Sequence, residues 1–240
     1  MTTGFSAESL PTFALDTSTA SPSLALVRGD DTLAELWLAP EPGSGRRVLE
    51  AAHGLLRAAG HDVQDIGEVV VGVGPGGFTG LRIGLATALG LGQALAVPVT
   101  GASSLEGIAL GLGEGEDAGT VVAPVLDARR RELFAAAYRL RADGGLDEVI
   151  APLAAPPAEF AAALRALGDP VVTGGEGLAA AGEHLAGFRS PPPGSARHRA
   201  SAAGLVRRVR AGAGVPARPV YARLPDAEVN RRAALAPADA

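Results

Sequence analysis

Apolar residues in the first hundred positions recur with a period that alternates between strand-like and helix-like. TFALD (Thr12–Asp16) and SLALVR (Ser23–Arg28) are short apolar runs, and Thr32–Leu38 alternates apolar with polar. Runs of this length between turn residues predict strands. Thr17–Ser21 links the first two, and Gly29-Asp30-Asp31 has hairpin chemistry, so the chain is predicted to open as a three-stranded meander. Within Arg46–Ala59, Val48, Leu49, Ala52, Leu55, Leu56 and Ala59 fall at helical spacing, and Gly60 stops the run. IGEVVVGV (Ile66–Val73) is continuous and β-branched, as in a strand buried on both faces. GPGGFTG then leads into a second helix, Thr79–Ala96. A short strand begins at Pro98 and Val99, and a third helix, capped by Ser103, ends near Leu112.

That order (three strands, helix, strand, helix, strand, helix) predicts the ribonuclease-H-like lobe from which actin-like folds are built, by analogy of element order. A second element set follows: strand Thr120–Asp127, its hairpin partner Glu132–Leu140, helices Pro157–Leu167 and Glu176–Leu185, a loop at Pro191–Gly194, and helix Ser201–Ala211 with Ser201 as cap. Val220–Arg223 is a candidate last strand. The Gly/acidic stretch GLGEGEDAG (Gly111–Gly119) marks the boundary. The fold class is therefore α/β: two actin-like lobes with mixed sheets flanked by helices. The expected domains are an N-terminal lobe at 1–112, a linker at 113–119, a smaller C-terminal lobe at 120–225, and a frayed tail at 226–240.

Composition narrows the function. The chain is 47% hydrophobic but only 4% aromatic, with 33 Gly, so Leu, Val, Ile and Ala must build the core. The absence of Cys excludes disulfides and thiolate metal sites. Every basic side chain is Arg, yet the net charge is −5. Phosphate binding needs a basic face, so a stand-alone nucleic-acid binder is disfavoured, and any such role should run through a partner. MTTGFSAESLPTFALDTS has no basic n-region or early apolar run, and Ile83–Val97 is too short for a span and is broken by Gly84, Gly90 and Gly92. The expectation is a cytoplasmic protein with no membrane partner.

GVGPGGFTGLRIG (Gly72–Gly84) carries the most information. Gly74, Gly76 and Gly77 permit a tight strand-to-helix turn, and Thr79 opens the helix, whose free N–H groups could cradle a phosphate. It is neither G-x-x-x-x-G-K-[ST] nor G-x-G-x-x-G, so a purely structural turn is the stronger reading. Asp16 and Thr17, ending the first strand before a hydroxyl-rich turn, could likewise support a metal–phosphate group or simply bond the turn's backbone; the latter is preferred. The second helix is apolar nearly all round, as expected of a helix buried on more than one face. Its Gly84, Gly90 and Gly92 each cost about 1 kcal/mol relative to Ala, a cost that close approach of another helix would explain. His53, His61, His184 and His198 form no H-x-x-x-H or H-E-x-x-H, and there is no G-x-S-x-G elbow. Asp127, Arg129, Arg130, Arg131 and Glu132 read as a solvated hairpin turn.

Five segments, from Phe13 to Arg223, resemble the TsaB/YeaZ family of glycoprotease-like proteins: FALDTSTASPSLALV, GPGGFTGLRIGLATALGLGQAL, GASSLEGIA after Pro98, VLDARRRELFAAAYR, and PVYAR. The resemblance implies a non-catalytic subunit that pairs with a TsaD-like transferase and works with a TsaE-like ATPase. Together they place threonylcarbamoyl on the adenosine beside the tRNA anticodon. It implies no autonomously bound cofactor, with ATP and metal held by the partners, and only indirect contact with tRNA. The family's heterodimer contact is a helical bundle. By position, this chain's half would come from Arg47, Val48, Ala51 and Leu55 of the first helix and Leu81, Arg82, Leu85, Ala88, Leu89 and Gly92 of the second. A homodimer through the same face is open. Two positions depart from the family: Ser44, where His is frequent, and Gly77, where Ser is common. A stand-alone actin-like ATPase or kinase, built on Asp16 and the GPGG turn, is the alternative. A peptidase finds no support in these residues.

Overall fold

A computed structural model describes residues 10–41 and 47–220. Its elements are β1 (Thr12–Asp16), β2 (Ser23–Arg28), β3 (Asp31–Trp37), α1 (Val48–Ala58), β4 (Glu68–Gly72), α2 (Phe78–Leu95), β5 (Val99–Ala102), α3 (Ser104–Gly113), β6 (Val121–Asp127), β7 (Leu133–Leu140), β8 (Leu146–Ala155), α4 (Pro157–Ala166), β9 (Val171–Gly174), α5 (Leu178–Ala181), α6 (Ala202–Arg208) and β10 (Val215–Pro216). They form two mixed sheets flanked by helices, ordered β10-β5-β4-β1-β2-β3 and β8-β7-β6-β9. β1 is the pivot of the first sheet, antiparallel to β2 (Leu15 opposite Leu24) and parallel to β4 (Leu15 opposite Val71). This is the two-lobed actin-like class expected from the element order.

Strand alternation separates large from small side chains on the first sheet. Phe13, Leu15, Leu24, Leu26, Val69 and Val71 point to one face, where Val48, Ala52, Leu55 and Leu56 of α1 and Leu85 and Ala88 of α2 cover them. Ala14, Ala25, Val27, Val70 and Ala102 point to the other, against Ala202, Ala203, Leu205 and Val206 of α6. Short side chains on both partners let α6 lie close to that sheet. The second sheet repeats the arrangement. Ala123, Val125, Leu133 and Ala135 pack on Phe160 and Leu164 of α4, and Val122, Leu126 and Tyr138 pack on Leu105, Ile108 and Leu112 of α3. α3 contacts β6 and α6, so it joins the sheets.

Several elements differ from expectation. Ser201 caps α6 as predicted, accepting from Gly204 N at 2.9 Å, but Ser103 makes no cap bond to α3. The last helix is α-helical to Arg208 and continues as a π turn from Val209 until the chain turns at Gly212 (φ 83°), which agrees with the expected end at Ala211. The strand read from Ile66 begins at Glu68, after a single 3-10 turn at Val63–Asp65. α3 runs into the expected linker as far as Gly113. α6 and β10, within the span expected for the second lobe, pack on the first sheet, because the small-residue face of that sheet needs a cover. β8, β9 and β10 were not legible as strands. β8 is a half-exposed edge strand containing Pro152, with broken alternation. Among the described residues no helix is long and apolar enough to cross a membrane. Ser44, the expected start of the first helix at Arg46, Tyr221–Arg223 of the last expected strand, and the tail at 226–240 lie outside the described residues.

Leu15 is fully buried between β2, β4 and the helices. Leu15→Ala is expected to destabilise the chain by about 2–5 kcal/mol, the usual cost of emptying a packed leucine site. Urea unfolding followed by circular dichroism would read this as a lower midpoint at unchanged slope.

Candidate functional site

Three chain segments meet at Asp16. Its Oδ1 accepts from Ser18 N at 2.8 Å and Ser18 Oγ at 2.5 Å, and its Oδ2 accepts from Ser104 Oγ at 2.6 Å. Ser104 Oγ in turn accepts from Gly74 N at 3.1 Å. One carboxyl thus ties the β1–β2 turn to the start of α3 and the Gly-rich turn. Burial pushes Asp16 above the usual carboxylate range, against the hydrogen bonds from Ser104 and Ser18 that pull it down. Around it, Gly77 N donates to Ser18 O at 2.7 Å, and Thr17 Oγ1 donates to Gly80 O at 2.7 Å. A Cβ at Gly72 would strike Asp16 Oδ2, one at Gly76 would strike Ser18, and one at Gly84 would strike Thr17. Asp16, Thr17, Gly74, Gly76 and Gly77 therefore come together as a packed joint, and Thr79 stands outside it on the exposed first turn of α2. Glu176 adds a link from the second lobe, its Oε2 accepting from Ala20 N at 3.0 Å.

The helices behave differently from the expected interface set. Val48, Leu55, Leu81, Leu85, Ala88 and Gly92 are buried within their own lobe, and Ala51 is half-buried. Their periodicity marks the core face, which in a helix that is apolar on every side looks the same as a partner face. Arg47, Arg82 and Leu89 do face solvent. Two of the three notched glycines are explained internally, Gly84 by Thr17 and Gly92 by Val99, whereas Gly90 meets open space.

The residues that point outward include Leu89 and Arg82 of the expected set and others beside them. Leu49 is 60% exposed, Leu89 48% and Phe78 37%. On α2, Phe78, Arg82, Ala86, Leu89, Gly90 and Gln93 form a solvent-facing stripe at helical spacing, and on α1 Leu49, His53, Gly54 and Arg57 do the same. The Arg82 guanidinium lies 3.8 Å from the centre of the Phe78 ring, holding that ring at the surface. Between α1 and α2 runs a groove of about 350 Å³ floored by Phe13, Leu56 and Ile66 and walled by Leu49, His53 and Leu91. This arrangement can receive a partner's helices: exposed apolar side chains flanked by Arg57, Arg82 and Gln93, with side-chain-free notches at Gly54 and Gly90 that allow close approach.

Comparison with known proteins shows the family to which the chain belongs. Residues 44–213 match the family model described as TsaD: tRNA N6-adenosine threonylcarbamoyltransferase. The chain is 34% identical over 137 residues to the tRNA threonylcarbamoyladenosine biosynthesis protein TsaB of Bacillus subtilis, an alignment covering 57% of this chain and 58% of that protein. It thus spans little more than half the length of that curated relative. An uncharacterized protein of Mycobacterium tuberculosis is 36% identical over 220 residues, covering 90% of this chain and 92% of its own. The solved structure of YeaZ from Pseudomonas aeruginosa superposes with a TM-score of 0.71 at 27% identity, over 88% of this chain and 99% of that one.

Because the folded state raises Asp16 above its unfolded value, the folded chain holds that proton to higher pH. The stability Asp16 contributes is complete in acid and is lost as pH rises through its folded value. Asp16→Asn should therefore flatten the decline in unfolding free energy over the pH range above about 4, the unfolded carboxylate value. Urea titrations of both chains across that range test it; identical pH profiles would contradict it.

Proposed function

We propose that this chain, which belongs to the TsaD family and within it to the TsaB/YeaZ group, serves in tRNA threonylcarbamoyladenosine biosynthesis as a non-catalytic subunit. It docks a TsaD-like transferase through the outward stripes of α1 and α2. The observation that carries the reading is the exposure of Leu49, Phe78 and Leu89 on helices whose opposite faces are already filled by their own sheet. Large apolar side chains at 37–60% exposure, set beside open Gly54 and Gly90, are costly in water and gain most from a second protein.

The rest of the site supports an accessory role. In actin-like ATPases an Asp at the end of the first strand helps hold a metal–phosphate group; here both Asp16 oxygens are taken by Ser18 and Ser104. The loops that could cradle a phosphate are pressed on each other instead. ATP, metal and the transfer chemistry then belong to the TsaD-like subunit and a TsaE-like ATPase. This chain, with its net charge of −5, meets tRNA through them, in the cytoplasm.

The interface is tested by surface substitution. Leu89→Asp or Leu49→Asp should leave the unfolding free energy within about 0.5 kcal/mol of the parent. Each should weaken binding to the cognate TsaD-like protein by about 2 kcal/mol or more, roughly 30-fold, as for a central interface residue. Leu85→Asp differs in kind: it should unfold the chain, because Leu85 is core. Calorimetric titration together with thermal melts separates these outcomes. Full affinity in both surface variants would exclude this face.

A further inference from the structure

A polar relay sits where α1 ends. Gly60 (φ 75°) and His61 close the helix, Gly60 N donating to Arg57 O at 3.1 Å and His61 N to Leu56 O at 2.9 Å, the paired bonds of a Schellman turn. That turn sets the His61 ring between β2 and the short turn at Val63–Asp65. Arg28 Nη2 lies 2.8 Å from His61 Nε2, and His61 Nδ1 lies 3.2 Å from Asp65 Oδ2. A guanidinium can only donate. His61 Nε2 must therefore accept, which leaves the ring's single proton on Nδ1, where it donates to Asp65. Asp65 Oδ2 also accepts from Asp62 N at 2.9 Å, closing the turn. Asp65 is held below the usual carboxylate range, first by the Asp62 N–H and then by His61, so it remains an acceptor.

With Arg28 donating to Nε2, this arrangement admits one tautomer of the neutral ring. A second proton on the ring would set an N–H against the Arg28 guanidinium, and that contact would have to open. The consequence reaches the surface, because the His61 side chain, 17% exposed, lines the groove between α1 and α2. The titratable groups facing it are Arg28 from β2, Asp62 and Asp65 from the short turn, and His53 and Arg57 from α1; α2 brings apolar Leu91.

We propose that Arg28, His61 and Asp65 form a tautomer lock that shapes the α1–α2 groove and makes partner docking depend on a neutral His61. This rests on the interface reading above, with His61 as a positioning residue. The first test needs no partner. Nitrogen NMR of the ¹⁵N-histidine-labelled chain at about pH 7.5 should show His61 protonated on Nδ1 and bare on Nε2; the opposite tautomer overturns the lock. The second test is affinity for the cognate TsaD-like protein, which should fall at least about fivefold between about pH 7.5 and 5.5 in the parent chain, a modest coupling between two sites. His61→Gln, whose amide can accept from Arg28 and donate to Asp65 without titrating, should bind like the parent at the higher pH and lose that fall. His61→Ala should bind more weakly throughout. An unchanged fall in His61→Gln would move the effect to His53 and refute the proposal, as would a flat profile in the parent. Failure of the parent chain to bind at any pH would instead count against the interface, and the tautomer measurement would still decide the lock.

Discussion

The first sheet is covered on both faces by helices of its own chain, and that constraint decides what is left for another protein. Phe13, Leu15, Leu24 and Leu26 take up the inner faces of α1 and α2, and Ala14, Ala25 and Ala102 take up α6. The sheet's edge strands keep single exposed apolar side chains, Leu33 of β3 and Val215 of β10, whereas the outer faces of α1 and α2 carry Leu49, Phe78 and Leu89. Burying one such side chain is worth roughly 1.5–3 kcal/mol, so these residues are poor choices for a surface meant to stay wet.

The Asp16 joint makes that surface rigid enough to use. Its carboxyl connects β1, the turn before α2 and the start of α3, while Thr17 and Ser18 pack against Gly84 and Gly76. α2 is therefore held at its N-terminal end by the Gly77 N–Ser18 O bond and by the buried Thr17 hydroxyl on Gly80 O. The hydrogen bonds at Asp16 make it and the Gly-rich turn a structural fastening between three segments of the chain.

Much of the fold was legible because periodicity and turn chemistry agreed. The meander, both long helices, the Gly60 stop and the Ser201 cap follow from local rules that tertiary contacts reinforce. The edge strand β8 was not legible, since its alternation is broken and only part of it is buried. β10 is two residues long, and β9 is a four-residue run with no flanking pattern of its own. The proposed docking face was only half legible. The helices were chosen by position from the family resemblance, with the apolarity of α2 in support, but choosing the face required knowing where the sheet lies. Val48, Leu81 and Leu85 have the right chemistry for a partner and the wrong direction. Leu49 and Gly90 could have been found only from the outward phase of each helix. The relay joins Arg28 of β2 to His61, 33 residues away, and no sequence spacing announces it.

The central claim is that the outer faces of α1 and α2, and not the second sheet, meet the partner. Site-specific photo-cross-linking tests it most directly: a photoreactive residue at Leu89 is compared with one at Leu153 on the edge strand β8, each mixed with the cognate TsaD-like protein. The account predicts a covalent heterodimer from position 89 and none from position 153. Cross-linking confined to position 153 would contradict it.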